Sequence, residues 1–390
     1  CGGIVGSHES ENPAASYYVT RSGRKRGRGL QSRLAVTLRR ACSLRYDVII
    51  VGGGHNGLVC ACYLARAGLK VRMLERRAVV GGAVVTQEFH PGFRNSTLAY
   101  TVSLLDPGVI RELRLAQHGL RIVERPFANF LPLPDGGSFR LGPDAAATQA
   151  ELRRFTARDA ERLPEYYRML ERIADVLRDL ARETPPRFSG GRGVLDDLIE
   201  GWRLGRRLRP LELEARRDLL ELFTRSAGDL LDAWFESDPI KAVLGFDSVV
   251  GNFASPYAAG SAYVLLHHCF GEVNGQRGKW GHAMGGMGAI TQAMAREAEA
   301  RGVEITTGAE VMRVLVSGGR TTGVVLGDGT EIEARSIASN VEPSLLYLRL
   351  IEPAALEEDF RARMQRWRLG SGSLRLNVAL SALPDFRRAP

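Results

Sequence analysis

Three glycines and one glutamate carry the clearest chemistry in this 390-residue sequence. Gly52, Gly54 and Gly57 stand in G-x-G-x-x-G spacing within Gly52-Gly53-Gly54-His55-Asn56-Gly57, and Glu75 follows Gly52 by 23 positions. Glycines so spaced let the chain turn tightly, let a pyrophosphate approach the backbone, and let a helix pack closely on a strand. A carboxylate at that distance can accept hydrogen bonds from an adenosine ribose. Taken alone the glycines fit any glycine-rich loop, so their weight rests on the elements around them.

Those elements are in register. Tyr46-Asp47-Val48-Ile49-Ile50-Val51 is a short, β-branched apolar run, the pattern of a strand buried in a parallel sheet. A helical pattern follows through Leu58, Cys62, Leu64 and Ala65 and stops at Gly68. A second strand, Lys70 to Leu74, delivers Glu75. Together they make one βαβ unit whose helix N-terminus offers unpaired N–H groups to phosphates. The expected fold is α/β, with a Rossmann-like dinucleotide-binding domain.

Other chemistries find no support. The five cysteines (1, 42, 60, 62 and 269) form no C-x-x-C pair and no zinc spacing, so reduced thiols in a cytosol-like compartment are expected. His267-His268 is expected to line a core or cavity rather than bind a metal. The net charge of +9 would point to nucleic acid if it were spread over the chain. Residues 1–45 hold nine basic side chains against Glu9 and Glu11, leaving +2 for residues 46–390, so no nucleic-acid partner is expected. No run approaches the length of a transmembrane helix. With four lysines in an Arg- and Ala-rich chain, a GC-rich bacterial source and a cytoplasmic location are expected. A mitochondrial matrix location is the alternative if the basic leader is a targeting segment.

A second glycine pair narrows the choice of dinucleotide. Glu75-Arg76-Arg77 leads through Ala78-Val79-Val80 to Gly81-Gly82. This resembles the Glu-x₅-Gly-Gly pattern of flavoproteins of the amine oxidase and phytoene desaturase superfamily. The resemblance favours FAD over NAD as the resident cofactor.

In chain order, residues 1–45 read as a basic disordered leader and 46–120 as the first part of the FAD-binding domain. Val84 to Phe89 reads as a strand with a turn at His90–Phe93. Asn95 to Leu105 could lie near the flavin. Leu113 to Gly142 reads as short strands with turns at Pro132–Gly137. From Pro143 to about Leu244 the pattern is helical and heavily charged, with Ser- and Gly-rich punctuation at Thr184–Gly193. Residues 121–277 are thereby expected to form an inserted α+β substrate or cap domain. Trp280-Gly281-His282-Ala283-Met284-Gly285-Gly286-Met287-Gly288 opens a helix to Arg301. Both close packing and direct cofactor or substrate contact stay open for that loop. Strands at 303–307, 310–316, 321–326 and 330–338 return the chain to the FAD domain, assigned to 278–345. Residues 346–390 then begin a second substrate-domain segment, with a strand expected at Ser373–Leu380.

The stretches GGGHNGLV, ERRAVVGGAVVT, WFESDPIKA, YVLLHH and GGMGAI together resemble the phytoene dehydrogenase-related flavoproteins. That resemblance implies an FAD-dependent oxidoreductase. It implies FAD contacts at Gly52, Gly54, Gly57, Glu75, Arg77, Gly81 and Gly82, and a backbone contact from Val311 to the adenine. Superfamily members continue to a second Gly-Asp-containing segment over the flavin, so this chain is expected to be a fragment cut at both ends. The expected reaction is hydride transfer from an apolar or amphipathic organic substrate to FAD, as in a dehydrogenase or desaturase. Peripheral membrane contact is compatible with such a substrate. His268, His282 and Tyr263 are candidates for an acid or base, and no catalytic residue is assigned. Two alternatives remain: an NAD(P)H-dependent flavin reductase, which needs a second dinucleotide-binding unit, and a flavin-less lipid- or protein-binding scaffold of the same fold.

Overall fold

A computed structural model describes residues 46–142, 144–181, 199, 201–202, 205–206, 209, 211–370 and 374–385. The expected leader and the whole of the Thr184–Gly193 punctuation lie outside the described residues.

The fold is built on strand β1 (Tyr46–Val51), helix α1 (His55–Arg66) and strand β2 (Val71–Leu74). β2 runs parallel to β1, with Val48 opposite Val71 and Val51 opposite Leu74. Next come a hairpin of β3 (Thr86–His90) and β4 (Phe93–Ser96), turning at the expected Pro91-Gly92, and the short helix α2 (Pro107–Glu112). Strands β5 (Ile122–Glu124), β6 (Asn129–Pro132) and β7 (Ser138–Leu141) match the short-strand reading. The helical stretch holds α3 (Ala145–Leu152), α4 (Ala157–Ala181), α5 (Leu213–Thr224), α6 (Ala227–Trp234) and α7 (Asp238–Asp247). A one-turn α8 (His267–Phe270), the two-residue strands β8 (Glu272–Val273) and β9 (Gln276–Arg277), and β10 (Gly281–Ala283) lead back. Helix α9 (Gly288–Ala300) then precedes β11 (Glu304–Thr306), β12 (Val311–Ser317), β13 (Arg320–Leu326) and β14 (Glu331–Ser339).

One six-stranded sheet, ordered β11-β2-β1-β14-β13-β12, carries the dinucleotide half. β11, β2, β1 and β14 are parallel, and β13 and β12 run antiparallel at the edge. The apolar run Val48–Val51 of β1 is explained by burial on both faces. Val48 and Ile50 pack with Leu58, Ala61 and Cys62 of α1 and with Ile290, Ala293 and Met294 of α9. Ile49 and Val51 pack on the opposite side with Leu74, Val311, Val314, Val324 and Ile332. A third core, from Phe139 to Cys269, joins the helices α3 to α7. There α4 buries Leu163, Tyr166, Leu170 and Ile173 at helical spacing.

Two buried carboxylates fix helices in place. Asp159 accepts from the N–H groups of Glu236 and Ser237, at 2.9 and 2.8 Å, just ahead of α7. Glu297 of α9 accepts from Arg114, His118 and Arg301 at 2.6–3.2 Å, clamping the chain after α2 onto α9. Among the described residues no helix is long and apolar enough to cross a membrane.

One expected strand is absent. Residues 374–380 carry no regular secondary structure and pair with no strand among the described residues, while Leu374, Leu376 and Val378 stay exposed. The alternation of apolar residues there is that of a strand, but alternation creates a strand only where a neighbouring edge completes the ladder.

Candidate functional site

The glycine-rich turn joins the carboxyl end of β1 to the start of α1, where a doubly wound sheet opens its crevice. Gly52 makes the turn with φ +96°, a left-handed conformation that L side chains rarely adopt. Gly57 lets α1 approach the strand, since a β-carbon there would stand 2.5 Å from the Gly52 carbonyl oxygen. At Gly54, the residue capping α1, a β-carbon would meet only the Asn340 side-chain amide, at 2.7 Å.

The second glycine pair folds directly onto this turn. The Gly81 N–H donates to the Gly53 carbonyl at 2.9 Å, and a β-carbon on Gly82 would stand 3.2 Å from the α-carbon of Gly54. Glu75 ties the two segments together from a buried position. Its Oε2 accepts from the Gly53 N–H at 2.7 Å and its Oε1 from the Arg77 N–H at 2.9 Å. Arg77 reaches back from Nη1 to the Gly82 carbonyl at 3.4 Å. The loop ahead of β12 closes the rim, with Gly308 donating to the Arg77 carbonyl and Ala309 to that of Glu75. Val311 lies just beyond, in the core beneath Val51 and Leu74.

Thus Gly52, Gly54, Gly57, Glu75, Arg77, Gly81 and Gly82 converge on one corner of the sheet, with Val311 at its edge. Reading the sequence missed Asn340. It follows β14, donates its N–H to the Val51 carbonyl at 2.8 Å, and lays its side-chain amide beside Gly54 and Gly57. Its signal was positional, because a strand returning parallel to β1 must end at the same crevice.

These residues fit a bound dinucleotide. The absence of a side chain at Gly54 opens the backbone to a pyrophosphate, and the first-turn amides of α1 have no intrahelical acceptors. Each Glu75 oxygen accepts one backbone N–H, leaving lone pairs for ribose hydroxyls.

The loop before α9 has a packing role. A β-carbon on Gly286 would stand 2.3 Å from Thr86 Oγ1, and one on Gly288 2.6 Å from the Thr86 N–H nitrogen. Gly288 donates its N–H to Thr86 Oγ1 at 2.9 Å, and Met287 to Ser96 Oγ at 2.9 Å. The strand ahead of this loop, β10, pairs antiparallel with β5 outside the parallel sheet. It therefore starts no second dinucleotide-binding unit.

Of the three acid–base candidates, Tyr263 and His282 have different partners. Tyr263 stacks on Phe223, with ring centroids 5.8 Å apart and planes 7° from parallel. The side chain of His268 lies outside the described residues. His282 accepts from Arg125 Nε at its Nε2 (3.1 Å), which leaves Nδ1 to donate to the Tyr100 carbonyl (3.2 Å). Desolvation, then the Arg125 charge, holds its pKa below the ordinary histidine value. His282 is thus a neutral imidazole with a fixed tautomer.

The thiols of the described residues are inert by environment. Burial pushes Cys62 and Cys269 up to about 12, far from the range in which a thiolate does redox work. Among the described residues no group of three His, Cys, Asp or Glu side chains could hold a metal ion.

Residues 57–374 match the flavin-containing amine oxidoreductases. The chain belongs to that family. The family is one of FAD-dependent oxidoreductases, and FAD is the cofactor. Among known relatives is pyridine nucleotide-disulfide oxidoreductase domain-containing protein 2 of Mus musculus, 39% identical over 88% of this chain and 61% of its own length. A hydroxyneurosporene desaturase of Cereibacter sphaeroides is 29% identical over 77% of this chain and 57% of its own length. Among solved structures, a putrescine oxidase double mutant superposes with a TM-score of 0.53 at 22% identity, covering 84% of this chain and 64% of its own. That likeness bears on the fold, and it agrees with the FAD-binding α/β architecture expected from the sequence. The chain spans about three fifths of the length of the first of these relatives.

Proposed function

We propose that the protein is a dehydrogenase or desaturase that removes a hydride from an apolar or amphipathic organic substrate. Bound FAD supplies the hydride acceptor, and the chain supplies binding, orientation and exclusion of water. The α1 N-terminus and Gly54 receive the pyrophosphate, and Glu75 holds the ribose of the adenosine. Gly81 and Gly82 bring the chain past the cofactor, and Arg77 braces that passage through the Gly82 carbonyl. The observation that carries the reading is the buried Glu75 carboxylate, pinned between Gly53 and Arg77 with the second glycine pair folded against Gly54. A scaffold without flavin has no need to keep a desolvated carboxylate and two glycine pairs in contact.

The desaturase named above supports an apolar substrate class, as does a limonene dehydrogenase chain of Castellaniella defragrans, 26% identical over 87% of this chain. The test is the absorption spectrum of the purified full-length protein, followed by anaerobic titration with isoprenoid and long-chain candidates. A flavin spectrum that bleaches with one such compound supports the proposal. A protein that purifies and reconstitutes without flavin refutes it.

A further inference from the structure

The ribbon formed by β5 and β10 carries an arginine with an open edge. Val123 pairs directly with His282 across the ribbon, and side chains two apart share a face, so Val123, Arg125 and His282 lie on one side. Arg125 Nε donates to His282 Nε2 at 3.1 Å, and Nη1 donates to the Ala128 carbonyl at 3.3 Å. The guanidinium lies 5.5 Å from the Trp280 ring centre. Its Nη2 has no hydrogen-bond partner among the described residues, and none of their carboxylates comes within ion-pair distance. Asp247, the acidic group whose charge it feels, is buried and accepts from Asn129 Nδ2 at 3.4 Å. Glu124, on the other face of the ribbon, accepts from Asn274.

The surroundings are apolar and positive. Tyr100, Val123, Phe127, Phe130 and Met284 are exposed nearby in the chain or across the ribbon. A second guanidinium, that of Arg375, lies 4.7 Å from the Tyr100 ring centre. Burial lowers the Arg125 pKa, outweighing the opposing influence of Tyr100 and Asp247. From this ribbon β10 runs on into Gly285–Gly288, which packs on Thr86, four residues past Gly82.

We propose that Arg125 anchors a carboxylate on the substrate, which makes that substrate an apolar organic acid rather than a neutral hydrocarbon. The proposal rests on the oxidoreductase reading and adds the substrate's charged end. A carboxylate carries the charge complementary to this guanidinium, and its oxygens can accept from the N–H groups that Nη2 retains. His282 acts as a positioning residue, because its neutral Nε2 holds the Arg125 fork in orientation.

The probes are sodium octanoate, 1-octanol and octyl phosphate, titrated into the purified full-length flavoprotein. Quenching of tryptophan fluorescence is read beside the flavin absorbance, since Trp280 lies under Arg125. Octanoate is expected to bind at least tenfold tighter than octanol. Arg125→Met should remove about tenfold or more of the octanoate affinity while leaving octanol and flavin content unchanged. Arg125→Lys, which keeps the charge without the fork, should fall between, and serves alone if the methionine variant does not fold. Equal binding of octanoate and octanol, an Arg125 variant that binds octanoate like the wild type, or a preference for octyl phosphate would each overturn the proposal. Absence of flavin would instead count against the oxidoreductase reading, and the octanoate comparison would be unaffected by it.

Discussion

Two single-methyl insertions at the start of α1 should fail in different ways. In Gly57→Ala the new β-carbon meets a backbone oxygen, that of Gly52, at 2.5 Å. Reaching even 3.0 Å, the limit that real contacts respect, requires α1 and the turn to part by 0.5 Å. α1 cannot yield freely, because Leu58, Ala61 and Cys62 are completely buried on its inner face. Overpacking of this kind costs about 2 kcal/mol, which is roughly 4–8 °C in Tm for a domain of this size. In Gly54→Ala the new β-carbon meets only the end of the Asn340 side chain, which can swing aside, and the backbone there (φ −71°, ψ 170°) suits alanine. Stability should therefore change by less than about 1 kcal/mol. The methyl group would nonetheless occupy the approach reserved for the pyrophosphate, so flavin should be lost. Thermal melting of the two variants, with flavin quantified after gel filtration, separates these effects. A Gly54→Ala protein that keeps stoichiometric flavin, or a Gly57→Ala protein that melts with the wild type, would refute the reasoning.

Two further predictions concern stability. Burial pushes the Glu297 pKa up, but hydrogen bonds from His118, Arg301 and Arg114 outweigh it and hold the value below the ordinary carboxylate range. A lowered folded-state pKa contributes stability that is complete above the unfolded value and is lost as pH falls through the folded one. Glu297→Gln should therefore flatten the decline of Tm below about pH 4.5 while lowering Tm at pH 7, and an unchanged acid limb would count against the clamp. Tyr166 is fully buried with no hydrogen-bond partner for its hydroxyl among the described residues. Tyr166→Phe should be neutral or stabilising by about 1 kcal/mol in chemical denaturation; a clear loss of stability would reveal a partner for that hydroxyl.

Sequence alone determined the part of this protein whose physics is local. The run Tyr46–Val51, the glycine spacing and the carboxylate at Glu75 follow one another within 30 residues, and each is set by backbone sterics or by periodicity. The return strands 304–306, 311–317, 320–326 and 331–339 were legible within a residue or two for the same reason. Tertiary structure decided what depends on distant partners. Asn340 enters the cofactor corner because β14 docks beside β1, nearly 300 positions away, and no local pattern records that pairing. Gly286 and Gly288 are glycines because Thr86 occupies the space of their side chains, which left their role open in the sequence. The tautomer of His282 was likewise not legible, because Arg125, which fixes it, follows a different strand. Residues 374–380 have the alternation of a strand yet lack its ladder, since a strand's hydrogen bonds belong to its neighbours and only the assembled fold supplies them.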